Sequence, residues 1–335
     1  MIDTDAFSAR LRARAVHVDR NELLIANFVG SDQEPDLTDP PNCGGLGRVR
    51  HFHRETSPGW PANSLPIDPA SAFLGLRPGT ELRAQVFQNA ACNWRCWYCF
   101  VPFNLLDANE GRGAWVTPRD LVARYAAIPD RPPMIDLTGG QPDLVPEWLP
   151  WMMDAIQDEG LDKSVYLWSD DNLSNDYFWR YLDDATRRRV SQYLGYGRVC
   201  CFKGFDATSF AFNTGASPDL FDRQFELFSR LLSAGLDLYA YATFTAPSTD
   251  GLPGAMGRFV DRLQRISEAM PLRLVPLEIA LYSPVRSRLN VDRMNAIQVQ
   301  QVAMEAWQAE LECRFSATDR AIPINEVPIG RSRPQ

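Results

Sequence analysis

Lysine is nearly missing from this sequence. Lys163 and Lys203 are the only two among 335 residues, and arginine supplies the other positive charges. Acidic residues outnumber basic ones 42 to 34, for a formal charge of −8. The chain holds no block of like charge, so the basic patch that phosphate binding needs is absent and a nucleic-acid partner is not expected. No apolar run reaches the ~18 residues of a membrane span, which argues against a membrane partner. The start, Met1-Ile-Asp-Thr-Asp-Ala-Phe7, has neither a basic n-region nor an apolar h-region, so a cytoplasmic location is expected. Seven cysteines, an odd number without an export signal, argue against a disulfide framework.

What is present is an ordinary globular composition, 45% hydrophobic, long enough for a sizeable core. From about residue 82 strands and helices alternate. Strands are predicted at 82–87, 134–137, 164–168, 198–202, 238–244 and 272–279, from β-branched or aromatic runs bounded by Gly, Pro or Asp. Helices are predicted at 118–128, 149–159 and 175–193. Phe221, Phe225, Phe228 and Leu232 form one helical stripe, and Phe259, Leu263, Ile266 and Met270 another. Met304, Trp307 and Leu311 indicate a last helix. Six such units predict an α/β fold, a partial (β/α)6 TIM-like open barrel over 81–313. Pro276 in the last strand suits a free edge. Residues 1–80 read as a loop-rich N-terminal elaboration, with a short helix at 6–16, a short strand at 22–28, a turn-forming stretch at 30–46 and a linker near 75–79. Residues 314–335 read as a C-terminal tail, where Pro323, Pro328 and Pro334 oppose regular structure.

Three cysteines crowd into Cys92-Asn-Trp-Arg-Cys96-Trp-Tyr-Cys99-Phe100, directly after the first predicted barrel strand. Loops at strand C-termini are where α/β folds place their chemistry. Structural zinc sites use four ligands, usually two separated pairs, and no second pair exists here. A [4Fe–4S] cube held by three thiolates leaves one iron open to another ligand. Trp94, Trp97, Tyr98 and Phe100 suit a centre that must be kept from solvent.

The C-x3-C-x2-C spacing, the aromatic before its last cysteine and the strand–helix repeat resemble the radical S-adenosylmethionine (radical SAM) superfamily over about 82–313. The resemblance implies a [4Fe–4S] cluster on Cys92, Cys96 and Cys99, with the methionyl group of SAM on the open iron. It further implies reductive cleavage of SAM to methionine and a 5′-deoxyadenosyl radical that abstracts hydrogen from a substrate. A reductant such as flavodoxin or ferredoxin is implied as partner; the substrate, whether peptide, protein or small molecule, is left open. Met134-Ile-Asp-Leu-Thr-Gly-Gly-Gln-Pro-Asp143 resembles the family's Gly-Gly-Glu-Pro segment, with Gln141 in place of Glu. Gly139, Gly140, Gln141 and Pro142 are thereby implicated in holding the methionyl ammonium, and Tyr98 is counted with the cofactor residues. Ser169, Asp170 and Asn172, at the third strand's end, fit ribose binding or equally a turn and helix cap. Cys200-Cys-Phe-Lys-Gly-Phe-Asp206, followed by Asn213-Thr-Gly215, partly resembles glycyl-radical-enzyme activating enzymes. Lys203 matches the lysine of their Asp-x-Lys and would reach the SAM carboxylate, while Cys201 replaces the Asp.

The competing reading is a non-catalytic iron–sulfur or zinc protein, structural or redox-sensing. His51 and His53 alternate along the chain and would share a strand face; with Cys43 they make a weaker metal candidate. A second cluster on Cys43, Cys201 and Cys313 is weaker still, and Cys200 and Cys201 should face opposite ways. Tyr239, Tyr241, Arg273 and Glu278 line a pocket or pack the barrel, and sequence does not choose.

Overall fold

Residues 1–55 and 63–330 are described by the computed structural model of the chain. Their strands are β1 (Val16–His17), β2 (Glu22–Ala26), β3 (Gly47–His53), β4 (Glu81–Phe87), β5 (Gly113–Val116), β6 (Met134–Leu137), β7 (Tyr166–Asp171), β8 (Tyr196–Phe202), β9 (Leu238–Thr243) and β10 (Leu274–Leu277). One sheet runs β10-β9-β8-β7-β6-β4-β3. Its six strands from β4 to β10 pair in parallel, and β3 joins β4 antiparallel. The sheet curls into a half-barrel, so the fold is α/β, a partial TIM-like barrel. β10 lies at the free edge, where the missing N–H of Pro276 leaves no ladder bond unmade.

Helices follow the strands as the apolar stripes require. They are α1 (Thr4–Arg12), α2 (Ile67–Leu74), α3 (Pro118–Ala126), α4 (Trp148–Asp158), α5 (Tyr177–Tyr181), α6 (Asp184–Gln192), α7 (Ala207–Thr214), α8 (Leu220–Ser233), α9 (Leu252–Ile266), α10 (Ser283–Arg286), α11 (Val291–Arg314) and α12 (Ala317–Arg320). The helix expected over 175–193 is two helices. Leu182 is extended, at φ −104° and ψ 134°, and the Asp183 carboxylate accepts from the Thr186 N–H to start α6. Local caps fix other starts: Thr117 and Asp120 form a capping box for α3, as Asp206 and Ser209 do for α7.

The N-terminal region differs most from expectation. Residues 47–53, in the region read as loop-rich apart from the strand face suggested by His51 and His53, form the seventh strand of the sheet, in register from Gly47 opposite Phe87 to His53 opposite Glu81. The strand 22–26 pairs with β1 and β5 in a second, three-stranded sheet. Helix α2 was also not anticipated. After α11, residues 321–330 form no long element but are anchored: Arg273 donates to the carbonyls of Val327 at 2.9 Å and Asn325 at 3.0 Å. Pro334 lies outside the described residues, as do residues 56–62.

Candidate functional site

Alternation along the strands sorts side chains between the two faces of the sheet. Tyr166, Trp168, Val199, Cys201, Tyr239 and Tyr241 form a buried cluster on the concave face, and Cys200 packs with the helices outside. Cys200 and Cys201 therefore point opposite ways. Where the concave face reaches the strands' C-terminal ends it opens into a cavity of about 240 Å³. Cys92, Cys96 and Cys99 line it together with Tyr98, Gly139, Gly140, Asp170, Asn172 and Lys203.

The loop carrying the cysteines is held by its backbone and its rings. Arg95 N–H donates to the Thr214 carbonyl and Trp97 N–H to the Asn213 carbonyl, each at 3.2 Å. The Trp97 indole donates to Asn213 Oδ1 at 3.1 Å and the Trp94 indole to Thr4 Oγ1 at 3.0 Å. Asn213-Thr-Gly215 thus serves as the loop's backing. Two arginines staple it. Arg95 donates to the carbonyls of Cys92 and Trp94, and Arg288 to those of Cys99 at 2.7 Å and Val101 at 2.8 Å. Burial pushes the Cys92 thiol up and Cys96 up to about 12. The Lys203 ammonium opposes that rise at both thiols, and the Arg95 guanidinium at Cys92.

Among the described residues, the one trio of His, Cys, Asp or Glu whose ligand atoms all lie within 4.8 Å of one another is His51, His53 and Glu81.

Gly139 and Gly140 sit at φ +77° and +69°, in the left-handed region. A Cβ on Gly140 would lie 2.3 Å from the Asn89 carbonyl and 2.6 Å from that of Ala91. This backbone therefore passes close under the cysteine loop, and Gln141 N–H donates to the Ala91 carbonyl at 2.7 Å. The side chain of Gln141 is not directed to the cavity. It is buried, donating to Asp171 Oδ1 at 2.8 Å and accepting from the Asn172 N–H at 2.9 Å. Pro142 is buried in a 3-10 turn and is not part of the cavity wall. Neither side chain is placed to touch a ligand there; of this segment Thr138, Gly139 and Gly140 line the cavity.

Strand alternation also removes Ser169 from the site. Its hydroxyl meets the Tyr196 hydroxyl at 2.7 Å on the opposite face. Asp170, one residue on, faces the cavity and accepts from Thr138 Oγ1 at 2.5 Å. Asn172 lines the cavity with its Nδ2 at 4.0 Å from Cys92 Sγ and 3.0 Å from Asn93 Oδ1. Tyr98 is buried and accepts from Thr243 Oγ1 at 2.9 Å. Burial pulls the Lys203 ammonium down, but Cys201, Tyr98 and the loop cysteines outweigh it and hold Lys203 well above the ordinary lysine value.

Sequence reasoning missed Arg48, Arg50, Asn63 and Tyr282, all of which line the cavity. The signal was the alternation Arg48-Val-Arg-His-Phe-His53, a strand pattern hidden behind a loop-rich neighbourhood. Glu278 reaches the cavity too, whereas Arg273 pairs with Asp237 at 2.8 Å and Tyr239 packs on Trp168. Tyr241 touches the site through its hydroxyl, which donates to Asn63 Oδ1 at 2.5 Å. His51 and His53 do share a face, but they meet Glu81 rather than Cys43; both ring nitrogens of His51 face carboxylates, Glu81 at 2.5 Å and Asp39 at 2.8 Å.

No protein-family model matches the chain, and no curated protein matches it. Solved structures similar to it include Streptococcus suis SuiB bound to precursor peptide SuiA, at 16% identity and a TM-score of 0.43, covering 67% of this chain and 46% of that one. SuiB bound to S-adenosylmethionine aligns at 14% identity and a TM-score of 0.42, covering 67% and 47%. The matched region thus spans about half the length of SuiB. A spore photoproduct lyase mutant, with bound AdoMet and dinucleoside spore photoproduct, aligns at 14% identity and a TM-score of 0.43, covering 68% of this chain and 72% of that one.

Proposed function

We propose that the chain is a radical SAM enzyme whose Cys92, Cys96 and Cys99 hold a [4Fe–4S] cluster beside SAM in the cavity. The observation that carries this reading is the placement of three thiols on one loop along one wall of a cavity that also holds Lys203 and the Gly139-Gly140 backbone. A cluster with one iron free of protein ligands supplies, with SAM bound there, reductive cleavage of the sulfonium and abstraction of a substrate hydrogen.

The chain's own residues have defined tasks in this reading. Lys203 neutralises the methionyl carboxylate. The backbone carbonyls of Gly139 and Gly140, on the cavity wall, would accept from the methionyl ammonium. Asp170 and Asn172 offer oxygens to the ribose hydroxyls; Oδ1 of each is buried with no partner among the described residues. Trp94, Trp97 and Tyr98, all buried, exclude water from the thiol side. Anaerobic reconstitution with iron and sulfide, followed by assay for 5′-deoxyadenosine with dithionite and SAM, tests the reading. A colourless protein with one tightly bound zinc would favour the structural alternative instead. Mass analysis of 5′-deoxyadenosine after separate incubations with the high- and low-molecular-mass fractions of a deuterated cell extract identifies whether a macromolecule or a small molecule gives up the hydrogen.

A further inference from the structure

On the wall formed by β3, Arg48 and Arg50 face the cavity two residues apart. Arg48 is only 6% exposed. Among the described residues it pairs with no carboxylate: the nearby Asp136 bonds Arg50 instead, at 3.3 Å. Arg48 Nε is buried with no hydrogen-bond partner, and the guanidinium lies between the rings of Phe28 at 5.8 Å and Phe100 at 5.3 Å. Residues 56–62 and 331–335 contain no acidic side chain that would supply the missing partner. Burial, and then Arg50, push the Arg48 guanidinium down to about 9, against the smaller opposing pull of Asp136 and Asp170, neither of which bonds it. A buried charge left unpaired is costly, and a planar fork of donors at a cavity wall is suited to a carboxylate or phosphate. Lys203, on the thiol side of the same cavity, already provides a cation for the cofactor.

We infer that Arg48, with Arg50 beside it, is an oxyanion subsite that binds a carboxylate or phosphate group of the substrate. The inference rests on reading the cavity as a SAM-dependent active site. It adds a substrate class to that reading: a molecule bearing an oxyanion, anchored on β3 and extending toward the cysteine loop. Arg48 and Arg50 together make that wall cationic, so a neutral analogue of the substrate binds poorly.

The test uses the full chain without cluster or SAM, with inorganic phosphate and acetate as probes followed by NMR line broadening. At least one anion should bind saturably. Arg48→Met and Arg50→Met should each weaken it about tenfold or more, and Arg48→Lys, which keeps the charge but loses the fork, should weaken it less. Preference for phosphate points to a phosphorylated substrate, and preference for acetate to a carboxylate. Arg48→Met should also melt no lower than the wild type without anion, because it removes an unpaired buried charge. Absence of saturable binding to the wild-type chain overturns the proposal, as does unchanged binding to Arg48→Met. So does a loss of SAM affinity in reconstituted Arg48→Met as large as that in Lys203→Met, since Arg48 would then serve the cofactor. Anion binding without any SAM cleavage by the reconstituted wild type would remove the enzyme reading and leave the anion site. SAM cleavage without anion binding would do the reverse.

Discussion

Arg288 and Cys99 are 189 residues apart in sequence, yet Arg288 Nη1 donates to the Cys99 carbonyl at 2.7 Å. The same guanidinium holds the Val101 carbonyl at 2.8 Å and lies 3.8 Å from the centre of the Phe103 ring. The segment after β10 thus fixes the far end of the loop that begins after β4. Hydrogen bonds from a charged donor contribute about 1.5–3 kcal/mol each when partly buried. Arg288→Met should lower stability by about 2 kcal/mol or more and should speed iron release from reconstituted protein to a chelator, with no thiol changed. Release at the wild-type rate would show that the loop holds its shape without Arg288.

Gly140 and Gly139 should respond unequally to alanine. At Gly140 an added Cβ meets two backbone carbonyls, at 2.3 and 2.6 Å, which cannot move without shifting the cysteine loop. At Gly139 it meets the buried side chain of Gln88, with Oε1 at 2.5 Å and Cγ at 2.6 Å, which must shift, but no backbone atom. Both changes also incur about 1–2 kcal/mol for a left-handed residue with a Cβ. Gly140→Ala should therefore lose more stability and more SAM affinity than Gly139→Ala, by urea melts and SAM titration. Equal losses would contradict the close approach.

The legible part of the molecule was the part with local signals. The six parallel strands and the stripe of Phe221, Phe225 and Phe228 follow from periodicity, and the cysteine loop from spacing. β3 was not legible, because its strand is established by pairing with β4, some thirty residues later, and its inward residues are arginines rather than aliphatics. Ser169 and Gln141 were misplaced for the same reason: a loop at a strand end contains residues of both faces, and only the pleat decides which ones see the cavity. Asp170 and Lys203 pass that filter, whereas Ser169 turns to Tyr196.

Lys203→Met should weaken SAM binding by about ten- to a hundredfold, the equivalent of one charge-assisted hydrogen bond, with iron content unchanged. Lys203→Arg should be partly tolerated, since the planar fork is bulkier. Ser169→Ala, on the other face, should leave SAM affinity as it is. Titration of SAM while following the cluster's EPR signal separates these variants, and a wild-type curve for Lys203→Met would remove it from the cofactor's site.

Asp136 sets a pH dependence. Burial, and then Asp170, raise its carboxyl from 3.8 to about 7, against the opposing pull of Arg50 and Arg48. The folded chain binds this proton more tightly than the unfolded chain. Stability from this group is therefore full below the unfolded value near 4 and falls as pH rises toward about 7. Asp136→Asn should flatten that decline in urea melts across the window. An unchanged slope, or one of opposite sign, would mean that Asp136 is ionised throughout as the partner of Arg50.

The most direct test of the central claim is to count iron and 5′-deoxyadenosine in the same anaerobically reconstituted samples. The wild type should bind about four irons per chain, as one cube requires, and form 5′-deoxyadenosine from SAM and dithionite. Cys92→Ala, Cys96→Ala and Cys99→Ala should each lose most of the iron and all of the cleavage, while Cys43→Ala, Cys200→Ala and Cys313→Ala keep both. Cleavage at the wild-type rate in the triple variant of Cys92, Cys96 and Cys99, or a wild-type chain that takes up one zinc and never forms 5′-deoxyadenosine, would contradict the account.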